Sequence, residues 1–369
     1  MEIQKAVNQK KELYNILLEF IENNGINEID FQNLIDFMQD EKIEENQEEL
    51  EHFLLLLLNL SNNHHRDSYF FDKIEKIILY LQDDIKQTFS NAKIYDIFQS
   101  NKRILLFLFD KNIIIFDESI FNQIKNESNS NGNKYSHFFY PEIKSFLSSE
   151  KVKKIEKKLL NFDSNIFNDF EKKRQEGENE SFICSLIRND SVEEFISYVN
   201  KTNLSLKIFI KRSIFETNSF LLEKEEISLI EYAAFFGAIQ IFQYLRINGV
   251  ELESSLWFYV IHSENADLIH LLEESHVMPP DDSYEKCLLE AIKCHHNDIA
   301  RYIENNLLAS NFSMNENCID CCFRYSNYSF FPADFEKNLG MYYLCNYNYS
   351  EIFKLFMEMR KDDIEAFII

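Results

Sequence analysis

Apolar residues recur every three or four positions along most of the chain, which places them on one face of an α-helix. The first ninety residues contain three such stretches, formed by Leu13, Ile16, Leu17 and Phe20, by Phe31, Leu34, Ile35 and Met38, and by Ile74, Ile77, Ile78 and Leu81. Polar or strongly acidic segments of turn-like composition separate them. A further unit of the same kind follows between Ile94 and Ile124. We therefore predict an N-terminal region of short amphipathic helices over residues 1–126.

Two apolar runs depart from this spacing. Residues 53–60 are almost continuously apolar, but the run is far shorter than the roughly 18 residues that a membrane span requires, so it predicts a buried helix. The β-branched triplet Ile113–Ile115 is compatible with a strand. No second strand pattern lies near enough to pair with it, so we interpret it as an extended connection.

The middle of the chain, residues 127–179, is interpreted as a linker followed by a connecting helix. Residues 127–134 are polar and almost free of apolar positions, as is typical of a linker. Pro141 stands at the favoured first-turn position of a helix that is predicted to continue to about Lys173. The segment 176–180, which contains Gly177, then ends that helix.

The clearest pattern in the C-terminal half occupies residues 228–249. Ser228 and Glu231 form the S-x-x-E sequence of a capping box and predict the start of a helix. The small pair Ala233–Ala234 allows a neighbouring helix to approach closely, and Gly237 can end the helix in a left-handed conformation. A second apolar stripe follows, made of Ile241, Phe242, Tyr244 and Leu245, before Asn248 and Gly249 end the second helix.

Copies of this pattern recur about every thirty residues. The next two occupy residues 255–272 and 291–303, and two weaker copies occupy 184–199 and 344–356. Such a period predicts helical pairs that bury their apolar faces against their neighbours. A helical bundle whose spacing happens to recur is the alternative.

The copy at 228–249 resembles the ankyrin repeat, whose usual pattern is T-P-L-H-x-A-A-x-x-G-H, then V-V-x-x-L-L and a closing N-G. The matching positions are Ala233, Ala234, Gly237, Leu245 and Gly249. The resemblance covers residues 180–369 and is closest to divergent ankyrin-like proteins of protists with unassigned function. It implies an all-α, helical-hairpin (ankyrin-like) solenoid with an N-terminal helical region, and a role in protein binding.

Composition and charge narrow the classes of function. With 6 Gly and 4 Pro, the chain has too few turn residues for a β-sandwich or for glycine-rich nucleotide loops. The net charge of −24 would repel a phosphate backbone, so we expect no nucleic-acid partner. The basic cluster 151–158 carries apolar residues at helical spacing and is interpreted as a solvated helix face. No secretion signal or membrane span is recognisable, which predicts a cytoplasmic location.

The seven cysteines form no disulfide framework and predict free, mostly buried thiols. The spacing of Cys318, Cys321 and Cys322, with Cys294-His295-His296 upstream, is the one pattern that suits a metal. Buried thiols are the preferred interpretation, and a zinc-stabilised helical module around these three cysteines is the alternative. The pair His64-His65 is expected in an exposed loop. No catalytic motif is present, so we expect neither enzymatic activity nor a cofactor.

The predicted function is an intracellular scaffold or adaptor that binds protein partners along a continuous groove. In a repeat array, the side chains that flank the small pair would be exposed on the ridge of first helices. These candidate contact residues are Tyr232 and Phe235, Tyr259 and His262, and Glu290 and Lys293. Packing inside the protein is the alternative. If they are contact residues, Tyr232→Ala or Tyr259→Ala would leave the fold intact and weaken partner capture.

Overall fold

The computed structural model describes residues 2–127, 135–280, 282–331 and 341–359, and this part of the chain is all-helical. No β-strand occurs in these ranges, and one isolated antiparallel bridge joins Phe209 to Ser228. The all-α prediction is therefore confirmed. The predicted linker at 127–134 lies outside the described residues, except for Glu127.

Most of the helices follow one another with short connections. Residues 2–127 contain α1 (Glu2–Glu22), α2 (Glu28–Asp40), α3 (Gln47–Asn63), α4 (Phe70–Tyr80), α5 (Gln82–Thr88), α6 (Asn91–Phe98), α7 (Lys102–Asp110) and α8 (Glu118–Glu127). Residues 135–280 contain α9 (Tyr135–Phe138), α10 (Tyr140–Ile143), α11 (Ser149–Phe162), α12 (Phe170–Glu176), α13 (Phe182–Arg188), α14 (Val192–Thr202), α15 (Ser219–Glu223), α16 (Leu229–Phe235), α17 (Ile239–Ile247), α18 (Leu256–Ser263) and α19 (Ala266–Glu274). The remainder contains α20 (Glu285–Lys293), α21 (Asn297–Tyr302), α22 (Glu316–Tyr325), α23 (Met341–Asn346) and α24 (Ser350–Met359).

Asparagine side chains begin many of these helices. The side-chain oxygen of Asn46, for example, accepts hydrogen bonds from the backbone N–H groups of Glu48 and Glu49 at the start of α3. A short polar side chain in this position satisfies backbone donors that have no partner inside the helix. The same role is taken by Asn27, Asn101, Asn218, Asn265 and Asn315. The asparagine-rich composition thus contributes directly to where helices start.

Two compact units make up the chain. Residues 1–84 and 278–369 form one, the terminal unit, and residues 85–277 form the other, the central unit. The unit boundaries cut across the regions defined from the sequence pattern, because the boundary at residue 277 falls inside the predicted repeat region 180–369. The terminal unit is therefore built from two distant stretches of sequence.

In the terminal unit, α1 is the central element. It packs against α2 and α4 from the N-terminal stretch and against α24 from the C-terminal stretch. Its Lys10 side chain is buried and lies 2.6 Å from a carboxylate oxygen of Glu49 and 3.5 Å from one of Glu351. The N-terminal helices therefore pack on the last helical pair of the chain rather than forming a unit of their own.

The apolar run at residues 53–60 lies inside α3, and most of its side chains are buried. The prediction of a buried helix is confirmed. Across the described residues, no helix combines the length and the apolar character needed to cross a membrane. The triplet Ile113–Ile115 is likewise non-strand, as predicted, and connects α7 to α8.

The central unit contains three successive helical pairs, α13–α14, α16–α17 and α18–α19. The first helix α16 packs against the first helices α13 and α18, and α14 packs against α17. Between the two helices of each pair one residue adopts a left-handed conformation, with φ of 46° at Asp190, 66° at Gly237 and 55° at Glu264. Only Gly237 adopts this conformation without a steric penalty. The predicted capping box of Ser228 and Glu231 is present at the start of α16.

The long connecting helix predicted from Tyr140 to Lys173 is wrong. The structure breaks this stretch into α10, a single 3-10 turn, α11 and α12. The chain is extended at Leu147 and Ser148, before α11, and the polar segment 163–169 follows it, with Asp169 in the left-handed conformation. At the end of α11 the side-chain oxygen of Asp163 accepts a hydrogen bond from the Asn165 N–H at 2.9 Å and competes with continuation of the helix. The predicted helix start at Pro141 and the helix end at Gly177 are both confirmed.

A small apolar core forms around these short helices. Tyr140, Leu159, Ile166 and Phe170 are buried together with Phe215, which lies forty-five residues further along the chain than Phe170. The lysines of the 151–158 cluster, by contrast, are exposed, which confirms the prediction of a solvated helix face. This core supports the connection between α14 and α16, where a pocket lies.

Candidate functional site

Four of the predicted contact residues lie in the interior of the central unit. Tyr232, Phe235, Tyr259 and His262 are all buried. The Phe220 ring covers three of them, with its centroid 5.7 Å from that of Phe235, 5.0 Å from that of Tyr259 and 4.0 Å from that of His262. Their predicted exposure on the ridge is wrong, because α15, inserted between α14 and α16, places Phe220 over this ridge.

Lys293, in the terminal unit, is partly buried and lies 3.0 Å from a carboxylate oxygen of Glu290, its neighbour one helical turn earlier. Burial tends to lower the pKa of this amine, but the negative charge of Glu290 outweighs it and raises the pKa above the usual value. Lys293 therefore remains charged and partly accessible. It lies in the other unit from the four aromatic and histidine candidates.

The cysteines of the candidate zinc site are buried on α22. The Cys321 thiol donates to the Leu289 carbonyl at 3.3 Å, and the Cys322 thiol to that of Phe330 at 3.5 Å. Burial raises the pKa of Cys321 to about 12, so this thiol keeps its proton at neutral pH. Among the described residues of the terminal unit, no three His, Cys, Asp or Glu ligand atoms lie within 4.8 Å of one another. The zinc alternative stays a prediction.

The histidine pairs are arranged differently from the sequence prediction. His64 is buried at the end of α3 instead of lying in an exposed loop, and its ring centroid is 5.0 Å from that of His296. The backbone N–H of His65 donates to His296 Nε2 at 3.2 Å. The adjacent His295, at a left-handed corner (φ 60°), places Nδ1 3.0 Å from the Tyr14 hydroxyl. These histidines join α1, α3 and the α20–α21 corner.

The buried His295 makes the stability of the terminal unit pH-dependent. Burial, with a smaller contribution from His64, lowers the pKa of His295 to about 3 from the ordinary value of 6.5. Below pH 6.5 His295 therefore binds a proton in the unfolded chain, whereas in the folded chain it stays neutral down to about pH 3. We expect this residue to lower the free energy of unfolding by about 2 kcal/mol as the pH falls from about 6.5 to about 5.

Urea unfolding followed by circular dichroism at about pH 7 and about pH 5 measures this loss. The matched variant is His295→Asn, because asparagine also tolerates the left-handed corner but does not titrate. The variant should lose less stability on acidification than the parent chain. An equal loss in both proteins would contradict the role of His295.

The central unit carries a pocket that the sequence did not predict. It has a volume of about 130 Å³ and lies beside the connection 203–228, between α14 and α16. In this connection the Ile210 N–H donates to the Ile227 carbonyl at 2.7 Å, next to the Phe209–Ser228 bridge. The apolar lining of the pocket is formed by Phe162, Ile210, Ile214, Leu221, Leu222 and Ile227.

The charged side chains that line the pocket are three cations and two carboxylates, the exposed Glu225 and the buried Glu216. Lys211 donates to the Phe162 carbonyl at 2.7 Å, and Arg212 donates to the carbonyls of Glu225 and Lys224. The Lys224 ammonium lies 4.4 Å from the centre of the Phe220 ring. None of the three forms an ion pair with a carboxylate in the described part of the chain, although the protein has 62 acidic residues.

The floor of the pocket is polar and held in place by hydrogen bonds. Glu216 is buried, and its carboxylate accepts from the N–H groups of Thr217 and Asn218 at 3.0 and 2.8 Å. The buried Lys102 ammonium lies 3.5 Å from the Glu216 carbonyl. Burial lowers the pKa of Lys102 to about 8, and the Glu216 charge opposes this effect. Tyr232 also lines the pocket, so one predicted contact residue does reach it.

This arrangement suits the capture of one apolar side chain together with a nearby negative charge. Drug-sized ligands occupy pockets of roughly 300–1,000 Å³, whereas an apolar cavity of about 150 Å³ accommodates benzene. A volume of about 130 Å³ is therefore the size of a single side chain. The sequence signal that could have indicated the site is the segment 207–212, Lys-Ile-Phe-Ile-Lys-Arg, in which an apolar triplet is flanked by cations.

The chain has no match among protein-family models, similar curated proteins or similar solved structures. Its functional assignment therefore depends on the geometry of the chain itself, and the pocket beside the 203–228 connection is the site that this geometry favours.

Proposed function

We propose that the protein is a protein-binding adaptor, and that the central unit holds a partner by inserting one of its apolar side chains into the pocket beside the 203–228 connection. The proposal is supported chiefly by the pocket itself, which has the size of a side chain and is lined by three cations that form no ion pair with the carboxylates of the described residues. Buried anchor residues surrounded by a polar rim are the usual source of affinity in protein interfaces.

We further propose that the three helical pairs of the central unit form a short ankyrin-like array. The stacking of first helix on first helix, the left-handed corners and the fully buried pair Ala233–Ala234 support it. Nearest-neighbour packing of this kind presents the connections between pairs on one side. The 203–228 connection, which carries the pocket, is then the equivalent of the loop that links successive repeats in an ankyrin array.

A pocket-filling substitution tests the proposal. Leu222 is partly exposed and lines the pocket, so Leu222→Trp should occupy the space that a partner side chain would enter. We expect peptides selected from a random phage-displayed library on the parent chain to bind this variant at least about thirtyfold more weakly, the loss of one anchor of about 2 kcal/mol. Fluorescence polarisation with the selected peptides measures the change.

The matched control is Ile247→Trp. Ile247 lies on α17 of the same unit and is 77% exposed, so the added ring changes the surface but leaves the pocket empty. Peptide affinity should be unchanged in this variant, and both variants should keep their circular dichroism spectra. If the library yields no peptide, or only peptides that bind Leu222→Trp as well as the parent chain, the pocket is not the binding site.

A further inference from the structure

Within segment 207–211 the backbone edge is open at Phe209. Because Ile210 donates to Ile227, and Phe209 faces Ser228 across the bridge, the pair Phe209–Ser228 is of the non-hydrogen-bonded type. The N–H and C=O groups of Phe209 therefore point away from the 226–229 side. They have no hydrogen-bond partner among the described residues, and the Phe209 side chain is 55% exposed.

At Lys211 the same edge already has a hydrogen-bond partner, and it adjoins the pocket. Backbone groups of residues two apart point the same way, so the Lys211 carbonyl shares the direction of that of Phe209. Asn179 Nδ2 donates to the Lys211 carbonyl at 2.8 Å, and Asn179 also lines the pocket. The side chain of Ile210, between them, lines the pocket. A strand laid along Phe209 would thus lie beside the pocket opening.

Segment 207–212 carries three cations, and the neighbouring segment of the bridge carries the acidic Glu225 and Glu226. Lys207, Lys211 and Arg212 are exposed, and none of them forms an ion pair with a described carboxylate. The rest of the chain is strongly acidic, with a net charge of −24. Long-range repulsion would therefore disfavour acidic partners elsewhere on the surface, whereas three cations on one short edge attract them locally.

We infer that the 207–211 edge captures an extended acidic peptide by main-chain pairing, with one apolar side chain of the peptide entering the pocket. This inference rests on the proposed function and adds the chemistry of the partner. Main-chain hydrogen bonds to Phe209 provide affinity for a strand-like peptide, and the pocket and the cations select its side chains. The partner segment alternates carboxylate and apolar residues, since alternate side chains of a strand share a face.

The probe is a fluorescein-labelled peptide of alternating aspartate and valine with one central phenylalanine, added to the full-length chain. We expect binding that weakens at least tenfold when lysine replaces aspartate, and that weakens steeply with salt. Two further peptides are N-methylated, one at the odd-numbered and the other at the even-numbered residues. Their affinities should differ at least tenfold, because only one edge of the peptide strand faces the protein. These comparisons leave the protein unchanged.

Protein variants test the same edge. Phe209→Pro removes an outward-facing N–H that makes no hydrogen bond among the described residues, a change that edge strands tolerate, and Phe209→Ala is its control for the lost ring. The proline variant should bind the acidic peptide at least tenfold more weakly than the alanine variant. Lys207→Glu should weaken binding of the acidic peptide because it reverses a charge on the edge. The Lys207 side chain has no partner among the described residues that the change would disturb.

The outcomes separate the two proposals. Two results overturn the inference and leave the proposed function standing. In the first, the acidic peptide, the lysine peptide and both N-methylated peptides bind with the same affinity. In the second, none of these peptides binds, although the library yields pocket-dependent peptides. If Lys207→Glu makes the chain self-associate without changing peptide affinity, the lysines only protect the edge, and the inference is also overturned. If the library yields no peptide whose binding is weakened by Leu222→Trp, the proposed function is overturned.

Discussion

Replacing Arg174 with methionine is expected to lower the free energy of unfolding of the central unit by about 3–5 kcal/mol. The guanidinium is 2% exposed and forms a two-bond ion pair with Glu142, at 2.7 and 2.8 Å. It also donates to the Phe138 carbonyl at 3.1 Å and to Glu171 at 2.8 Å. The substitution leaves the poorly exposed Glu142 carboxylate without its partner, and an unpaired charge in such a place is costly.

The chain offers a local reporter for this measurement. Its single tryptophan, Trp257, is fully buried in the central unit, so its fluorescence in a urea titration follows the unfolding of that unit. Lys172→Met is the matched control, because Lys172 lies on the same helix α12 in an exposed ion pair with Glu176. Such a pair contributes about 0.5 kcal/mol or less.

A double variant shows whether the lost stability comes from the unpaired Glu142 carboxylate or from the lost contacts of the Arg174 side chain. Adding Glu142→Leu to Arg174→Met removes the carboxylate that the single change leaves unpaired, so part of the lost stability should return. A double variant less stable than Arg174→Met would show that the cost is lost packing around the arginine instead. Unchanged urea midpoints in all variants would contradict the burial of this ion pair.

Tyr232→Ala is expected to destabilise the central unit by about 3–5 kcal/mol, the usual cost of truncating a large buried aromatic residue. The ring is 1% exposed, and its centroid lies 4.7 Å from that of Phe236. Its hydroxyl accepts from Arg188 at 3.0 Å. The sequence pattern suggested the opposite result, an intact fold with weaker partner capture.

Two further variants calibrate this effect. Tyr232→Phe keeps the ring and removes only the hydroxyl, so the cost should be about 1–3 kcal/mol. Ile247→Ala removes an exposed side chain from the same unit and should change the free energy of unfolding by about 0.5 kcal/mol or less. A Tyr232→Ala protein with the urea midpoint of the parent chain would place Tyr232 outside the core and restore it as a contact residue.

The helical pairs of the C-terminal half could be predicted because their signals are local. The capping box of Ser228 and Glu231 and the left-handed turn at Gly237 depend on residues only a few positions apart. Interruptions were harder to predict, as in the stretch 140–173. There the apolar spacing continued through the breaks, and α11 ends where the Asp163 side chain accepts from the Asn165 N–H.

The candidate site could not be predicted in this way. The pocket brings together Phe162, Asn179, residues 210–214, Glu216 and Leu222, which local spacing does not relate. The predicted contact surface failed for the same reason. Whether Tyr259 is exposed depends on Phe220, a residue of a short helix inserted between two helical pairs and almost forty positions away.

The amino-acid sequence by itself determined the all-α class, most helix starts and the apolar faces that drive packing, because capping, turn conformations and helical periodicity act between neighbours in the chain. Tertiary structure alone decided that residues 1–84 join residues 278–369 in one unit, that the ridge aromatics are covered, and that a cation-rimmed pocket lies beside the 203–228 connection. These outcomes depend on which apolar faces meet, and many pairings of similar helical faces satisfy the same local pattern.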